Sequence, residues 1–346
     1  MATISDIAKA AGVSRATVSY VMNNRHDKMA QDTRHRVLEV MRTLNYTPSA
    51  LARGLNGKAV NTLGVVILAW AGSPFDNPYY RPILSGIMDE GTERRLSVNL
   101  FHGPHWFGEN DAVPAFCDGR CDGFLIFLPK IGSRVLDALL GQPTPFVIIG
   151  ERGENPLVSS VDIDNVAVAR DMTRQLIQRG HRRIAHIEGD IALKSTYDRV
   201  KGYREALEEA GIPFDPALVY RGGYSMEEGR AKSALMFRDL DCAPTAVFAG
   251  ADATAYGLIE GVRELGLRVP EDVSVVGIDG VQPLKDYGLQ LTTADQKLRL
   301  LGQNAAKLLI ERMENPELAP AKILQPYEVV TGNSVAAPRG AAGKGR

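Results

Sequence analysis

The apolar positions change their period along the chain. Between Ile4 and Val21 they recur at helical spacing in two short blocks. Ile4, Ile7, Ala8 and Ala11 fall on one face of a first helix, and Val18 and Val21 point inward from a second. Gly12 supplies the left-handed residue that a tight helix-to-helix turn needs, Val13 plugs the corner, and Ser14 is placed to cap the second helix. Arg15, Ala16, Thr17, Ser19 and Tyr20 are left facing outward. A third helix is predicted over 31–45, with Val37, Val40, Met41 and Leu44 on its apolar stripe. Pro48 stops any helix running back through Thr47, and Ser49 can cap a very short helix over 50–55. That segment is too brief to hold as an isolated helix, and Gly54 weakens it further.

From Asn61 the pattern changes to apolar strands separated by helices. The runs 63–68, 96–100, 123–127 and 146–149 form one set, with a helix over 81–94. The runs 184–187, 246–249 and 273–278 form a second. Strands buried on both faces and alternating with helices predict parallel sheets, and two consecutive sets predict two lobes. The fold class is therefore α/β: an N-terminal helix-turn-helix headpiece followed by a two-lobed domain with parallel sheets.

Composition sharpens this organisation. The 346 residues carry a formal charge of -1, which says little about partners. The distribution says more. Residues 1–58 hold nine Lys/Arg against four Asp/Glu, leaving the remainder acidic. A basic head on an acidic body is the layout of a polyanion binder with a separate sensing module. No apolar run approaches a membrane span and no basic-then-apolar leader precedes the headpiece, so no membrane association and a cytoplasmic location are expected. The three cysteines, Cys117, Cys121 and Cys242, lack the spacing of a metal knuckle and read as reduced structural residues.

The segments Thr3-Ile4-Ser5-Asp6-Ile7-Ala8, Ala11-Gly12-Val13-Ser14, Thr17-Val18-Ser19 and Asn45-Tyr46-Thr47-Pro48-Ser49-Ala50-Leu51-Ala52-Arg53 resemble the LacI/GalR family of bacterial transcription regulators. The resemblance continues to about Asn333. It implies a repressor-type regulator in the bacterial cytoplasm, associated with the nucleoid. It also implies a helix-turn-helix domain over 1–46, a hinge helix and linker over 47–60, and an effector-binding and dimerisation domain over 61–335 of periplasmic-binding-protein type. Lobe 1 is expected over about 61–162 and 292–324, and lobe 2 over about 163–291 and 325–335. The chain is expected to cross between lobes near Ile163, Leu291 and Gln325, with a final helix over 298–313. The tail 336–346, small and basic, is expected to be disordered. It has no leucine repeat, so a homodimer is favoured over a tetramer.

The same resemblance assigns roles to residues. Arg15, Ala16 and Tyr20 stand where the family reads bases: Arg suits guanine and Ala a thymine methyl. Ser14, Thr17, Asn23 and Asn24 suit the DNA backbone. Ala30 stands where relatives carry a Ser or Thr that caps the third helix and can touch phosphate; here that cap is missing, and Asp32 is placed to take over part of its work. Ala52, Arg53 and Leu55 belong to the hinge, where paired helices enter the minor groove and Leu55 wedges into a central base step. Two-fold symmetry then implies an approximately palindromic, double-stranded operator.

The effector contacts implied are Asn77, Tyr79 and Tyr80 in Asn-Pro-Tyr-Tyr, Arg199 in Arg-x-x-Gly-Tyr-x-x-Ala-Leu, and Ser195, Asp252, Asp279 and Gln296. Three positions depart from the family's sugar binders. Gly250-Ala251-Asp252 lacks the Asn before Asp252, Gly150 replaces an Asp, and Gly280 replaces the second polar residue after Asp279. A sugar remains the first expectation and a nucleobase the alternative. A solute-binding receptor is the rival from another class. No nucleophile elbow, phosphate loop or metal-ligand pair is present, so neither catalysis, cofactor nor metal is expected. His102 and His105 lie three apart as the nearest approach to a ligand pair.

Overall fold

Thr3 begins the folded chain by capping α1 (Ile4–Ala11), its side chain accepting from the Asp6 amide while Asp6 answers to the Thr3 amide. This reciprocal cap fixes the helix start. The computed structural model describes residues 2–22, 25, 28–46, 59–67, 74–102, 116–151, 155–282 and 287–339. Gly12 closes α1 at φ +63, the left-handed turn the sequence called for. Ser14 Oγ then accepts from the Thr17 amide at 3.1 Å and starts α2 (Arg15–Met22). The third helix, α3 (Gln31–Thr43), begins at Ala30 with no side-chain cap, as its methyl requires. Ile7, Ala8, Ala11, Val18, Val21 and Val37 form the headpiece core. Leu44 differs from expectation: it lies beyond the end of α3 and is 38% exposed, because the helix stops one residue earlier.

The chain divides into two units, Met1–Val60 and Asn61–Arg346. In the second, lobe 1 contains β1 (Thr62–Ile67), α4 (Tyr80–Glu93), β2 (Ser97–Phe101), β3 (Gly123–Phe127), α5 (Val135–Leu140), β4 (Phe146–Ile149) and β5 (Ser159–Asp162). Lobe 2 contains α6 (Asn165–Gln178), β6 (Ile184–Ile187), α7 (Lys194–Glu209), β7 (Val219–Tyr220), α8 (Met226–Met236), β8 (Ala246–Ala249), α9 (Asp252–Glu264), β9 (Ser274–Asp279) and β10 (Thr292–Asp295). Then α10 (Leu298–Glu314) and β11 (Lys322–Leu324) return to lobe 1, and β12 (Glu328–Val330) closes lobe 2.

The first sheet runs β11-β5-β4-β3-β1-β2 and is parallel throughout. The second runs β12-β10-β9-β8-β6-β7, antiparallel only where β12 meets β10. The inner strands are buried on both faces, as continuous apolar runs demand. In both sheets the order reverses beside the first strand, and crevices at the carboxyl ends of strands there are where such folds bind ligands.

Two expectations are corrected. The second crossing lies at Gln296 and Lys297, not near Leu291: Thr292–Asp295 is a strand paired with β9 from Thr292↔Val276 to Asp295↔Asp279, and only afterwards does Lys297 turn the chain at φ +52. The start of the tail is ordered. The Ala336 amide donates to Ser274 Oγ at 3.0 Å, the Ala336 carbonyl lies 2.8 Å from His181 Nε2, and Arg339 pairs with Asp272. The hinge residues Ala52, Arg53 and Leu55, and Asn23 and Asn24, lie outside the described residues. No described helix is long and apolar enough to cross a membrane.

Candidate functional site

The headpiece presents α2 outward. Burial of Val18 and Val21 leaves Arg15, Ala16 and Tyr20 exposed along one side, Tyr20 at 40%. Ser14 Oγ and Thr17 Oγ1, 2.9 Å apart, sit together at the helix start. That turn offers hydroxyls and amide groups to a phosphate, and the exposed face offers one guanidinium, one methyl and one phenol.

Between the lobes lies a cavity of about 620 Å³, within the ~300–1,000 Å³ typical of drug-sized ligands. Its walls come from strand ends: Leu128 after β3, Gly150 after β4, Asp162 closing β5, Asp190 after β6, Ala251 after β8 and Asp279 closing β9. Seven of the eight residues expected from the sequence line it: Asn77, Tyr79, Tyr80, Ser195, Arg199, Asp279 and Gln296. The eighth does not. Asp252 is 0% exposed; its Oδ2 accepts from the Gly280 and Val281 amides at 2.8 and 2.9 Å, and its Oδ1 from Thr293 Oγ1 at 2.6 Å. It anchors the loop after β9 instead of facing the ligand space.

Arg199 is only 7% exposed and reaches the cavity from α7. Its Nε donates to Asn165 Oδ1 at 2.9 Å and an Nη donates to the Gly250 carbonyl. Asp279 occupies φ +142, a region costly for any residue with a side chain. Gln296 holds it there: Nε2 donates to Asp279 Oδ1 at 2.8 Å, and the Gln296 amide to the Asp279 carbonyl at 3.2 Å. The Asp252 amide donates to Asp279 Oδ2 at 3.2 Å. Burial pushes the Asp279 carboxyl up to about 7, opposed by the nearby Arg199 charge.

Tyr79 and Tyr80 meet edge to face with ring centroids 5.4 Å apart, and Tyr80 packs on Phe127 in the core. Tyr80 is thus core and cavity wall at once. Asn77 is buried and spans the cleft: its Oδ1 accepts from the Tyr79 amide at 3.0 Å and its Nδ2 donates to the Tyr224 carbonyl at 3.4 Å.

The glycine departures have steric causes. Gly280 has φ +76, and a Cβ there would meet the Asp295 Cα at 2.5 Å. A Cβ on Gly150, at φ +81, would meet the Tyr79 hydroxyl at 3.0 Å. The space of the missing Asp is thus partly taken by a phenol.

Sequence reasoning missed Asp162, Asp190, Tyr224 and Glu228 among the lining residues. Asp162 is buried, accepts from Asn165 Nδ2 at 3.0 Å, and is pushed up to about 7 by burial. Its position at the end of a strand beside the first crossover was the available signal. Tyr224 comes from a loop after a two-residue strand, where no periodicity exists to read. Its hydroxyl lies 3.3 Å from Ser195 Oγ and 3.0 Å from Thr196 Oγ1, and Arg199 stands 5.8 Å from its ring centre. Among the described residues no group of three or more metal-ligating side chains assembles.

Comparison with known proteins agrees with this architecture. Residues 3–49 match the model described as bacterial regulatory proteins, lacI family, and residues 173–335 match the periplasmic binding protein-like domain. The HTH-type transcriptional repressor PurR of Haemophilus influenzae (strain PittEE) is 31% identical, with 92% of this chain and 93% of that protein covered. The solved complex of the transcriptional regulator CelR with cellobiose is 30% identical at a TM-score of 0.74, covering 96% of this chain and 100% of that one. The Lac repressor dimer bound to operator and the anti-inducer ONPF is 26% identical at a TM-score of 0.82, covering 97% and 99%.

Proposed function

The chain belongs to the lacI family of bacterial regulatory proteins, and from that premise we propose a sugar-responsive repressor that binds its operator as a homodimer. It is a helix-turn-helix transcription regulator with an effector-binding domain. Arg15, Ala16 and Tyr20 of each subunit read one half-site in the major groove, while Ser14, Thr17, Asn23 and Asn24 hold the backbone. Ala52, Arg53 and Leu55 of the paired hinges enter the central minor groove.

The sugar reading rests on one observation: Asp162 and Asp279, two buried carboxyls, share a cavity with the tyrosines Tyr79, Tyr80 and Tyr224. Carboxyls near neutrality in their titration both accept and donate, which matches hydroxyls that do the same. Tyrosine rings supply the flat apolar wall a pyranose face covers. The CelR neighbour is solved with cellobiose. The lobes move when the sugar binds, changing how easily two headpieces and hinges engage one duplex. The ligand switches the protein by binding one state better than the other.

The test is a thermal-shift screen of the full-length protein against glucose, cellobiose, lactose, hypoxanthine and guanine. Hits are then titrated against a duplex selected from random DNA. A sugar that raises the unfolding temperature and changes operator affinity is the expected result. Shifts confined to the nucleobases overturn the sugar reading and leave the regulator reading intact.

A further inference from the structure

The cleft has an unbalanced charge. Among the described residues that line it, four carboxyl groups (Asp162, Asp190, Asp279 and Glu228) face one guanidinium, Arg199. Asp162 and Asp279 are nearly sealed from solvent, at 5% and 4% exposure, and no described salt bridge neutralises either. Behind Asp162 stand Glu151 and Asp198, the latter paired with Lys194.

Arg199 offsets this charge only in part. A phosphate is gripped by a guanidinium through two parallel donors. Here Nε is committed to Asn165 and one Nη to Gly250, so the side-on fork is already divided. The other feature that attracts anions is the first turn of α7. Its side chains are turned elsewhere, which leaves only its backbone amides, without a side-chain cap from Leu193, to draw an anion. Thr196 Oγ1 donates to the Asp190 carbonyl at 2.6 Å, Ser195 Oγ meets Tyr224 Oη, and Lys194 Nζ pairs with Asp198 at 3.0 Å.

We infer that the cleft discriminates by charge, taking sugars that carry no anionic group and rejecting their phosphate esters. This rests on the sugar reading and adds the chemical class within it. A phosphate entering the cavity loses its hydration and, above neutral pH where Asp162 and Asp279 are ionised, meets carboxylates in place of free cations. Like charges brought together across a desolvated interface cost several kcal/mol.

The experiment uses full-length protein and calorimetry at pH 8.5, where Asp162 and Asp279 are ionised, with glucose, cellobiose and lactose, each against its phosphate ester at the terminal 6-position. Any parent sugar that binds should lose about 100-fold or more in affinity on phosphorylation, in keeping with such a like-charge cost. The double variant Asp162→Asn/Glu228→Gln should shrink that ratio at least several-fold, because it removes charge while keeping size. An ester that binds as tightly as its parent overturns the inference, as does a ratio unchanged in the double variant, which would make the rejection steric. An ester that binds where its parent does not overturns the charge inference and upholds the sugar reading. Binding of neither class, with binding of hypoxanthine or guanine, overturns the sugar reading and this inference with it.

Discussion

Arg199 Nε lies 2.9 Å from Asn165 Oδ1, so the guanidinium of the cavity is fastened to the residue that opens lobe 2. Asn165 follows directly on the first crossover, and its other amide atom donates to Asp162 Oδ2 at 3.0 Å. The remaining crossovers repeat the arrangement. Gln296 donates to Asp279, and Gln325 Nε2 donates to the Gln296 carbonyl at 2.6 Å. The side chains that line the cavity and the segments that join the lobes are therefore one hydrogen-bonded set. A ligand that pulls on Arg199 or Asp279 pulls on a crossover, which gives coupling a physical route.

Arg199→Ala should abolish the effector response at concentrations that saturate the parent protein and leave DNA affinity in the DNA-favouring state unchanged. The substitution removes a charged donor from the ligand and leaves Asn165 Oδ1 and the Gly250 carbonyl without their partner. Loss of a hydrogen bond to a charged group costs ~1.5–3 kcal/mol, so effector affinity should fall by about 10- to 100-fold. Calorimetry and operator titration with and without effector decide it, and a normal dose response removes Arg199 from the site.

Asp252→Ala should damage stability first and ligand binding second. Three donors, the Gly280 and Val281 amides and Thr293 Oγ1, lose their acceptor in a fully buried place. Each unsatisfied buried group costs about 1–3 kcal/mol, so urea unfolding should report a loss of about 3 kcal/mol or more. The released loop also frees Asp279, so effector affinity should fall as well. A variant that loses ligand affinity at full stability would return Asp252 to the cavity wall.

The two-lobed architecture was legible because buried parallel strands such as Val247 and Phe248 in β8 carry an uninterrupted apolar code. The headpiece was legible because Gly12 and Ser14 are turn and cap residues with few alternatives. The strand Thr292–Asp295 was not, since Thr, Thr, Ala and Asp carry no such code and its burial comes from neighbours on both sides. Asp252 and Asp279 show where pattern stops. Both are acids at or just after strand ends, yet one faces the ligand space and the other holds a loop, and only the path of 280–281 decides between them. The ordered tail start was hidden for a similar reason. Ala336 is tied by its backbone to His181 and Ser274, and backbone bonds leave no mark on composition.

Operator binding should weaken steeply with salt. The headpiece and hinge region 1–58 holds nine Lys/Arg against four Asp/Glu, and Arg15 stands on the outer face of α2. Each neutralised phosphate contributes roughly -0.9 to the slope of log affinity against log salt. A dimer holding six or more phosphates should therefore give a slope of about -5 or steeper. Arg15→Ala should reduce discrimination between operator and random duplex by ~1–3 kcal/mol, with a smaller effect on the slope. A flat salt profile in fluorescence anisotropy would sink the basic-head reading, and unchanged discrimination would take Arg15 off the bases.

Stability should fall as pH rises through the acid-to-neutral range, and Asp162 should be part of the reason. Burial raises Asp162 and Asp279 from the ordinary 3.8 to about 7 in the folded chain. Between those values the folded state keeps protons that the unfolded state has released. Their contribution is fully present below the unfolded value and is lost as pH climbs through about 7. Glu151, raised by burial from 4.5 to about 7, acts in the same direction. Burial lowers His186 to about 4 and His181 below its ordinary value, which opposes the trend in this window, but the raised acids outnumber them. The exposed carboxyls Asp89 and Asp118, held below their ordinary value by hydrogen bonds from Arg299 and Arg120, act in the opposite sense only at lower pH. Urea unfolding at pH 5, 6 and 7 should therefore show declining stability, and Asp162→Asn, which cannot ionise, should make the decline shallower. Identical slopes in the two proteins would mean that Asp162 is already ionised in the folded state at pH 5, and the picture of a near-neutral carboxyl in the cleft would have to be given up.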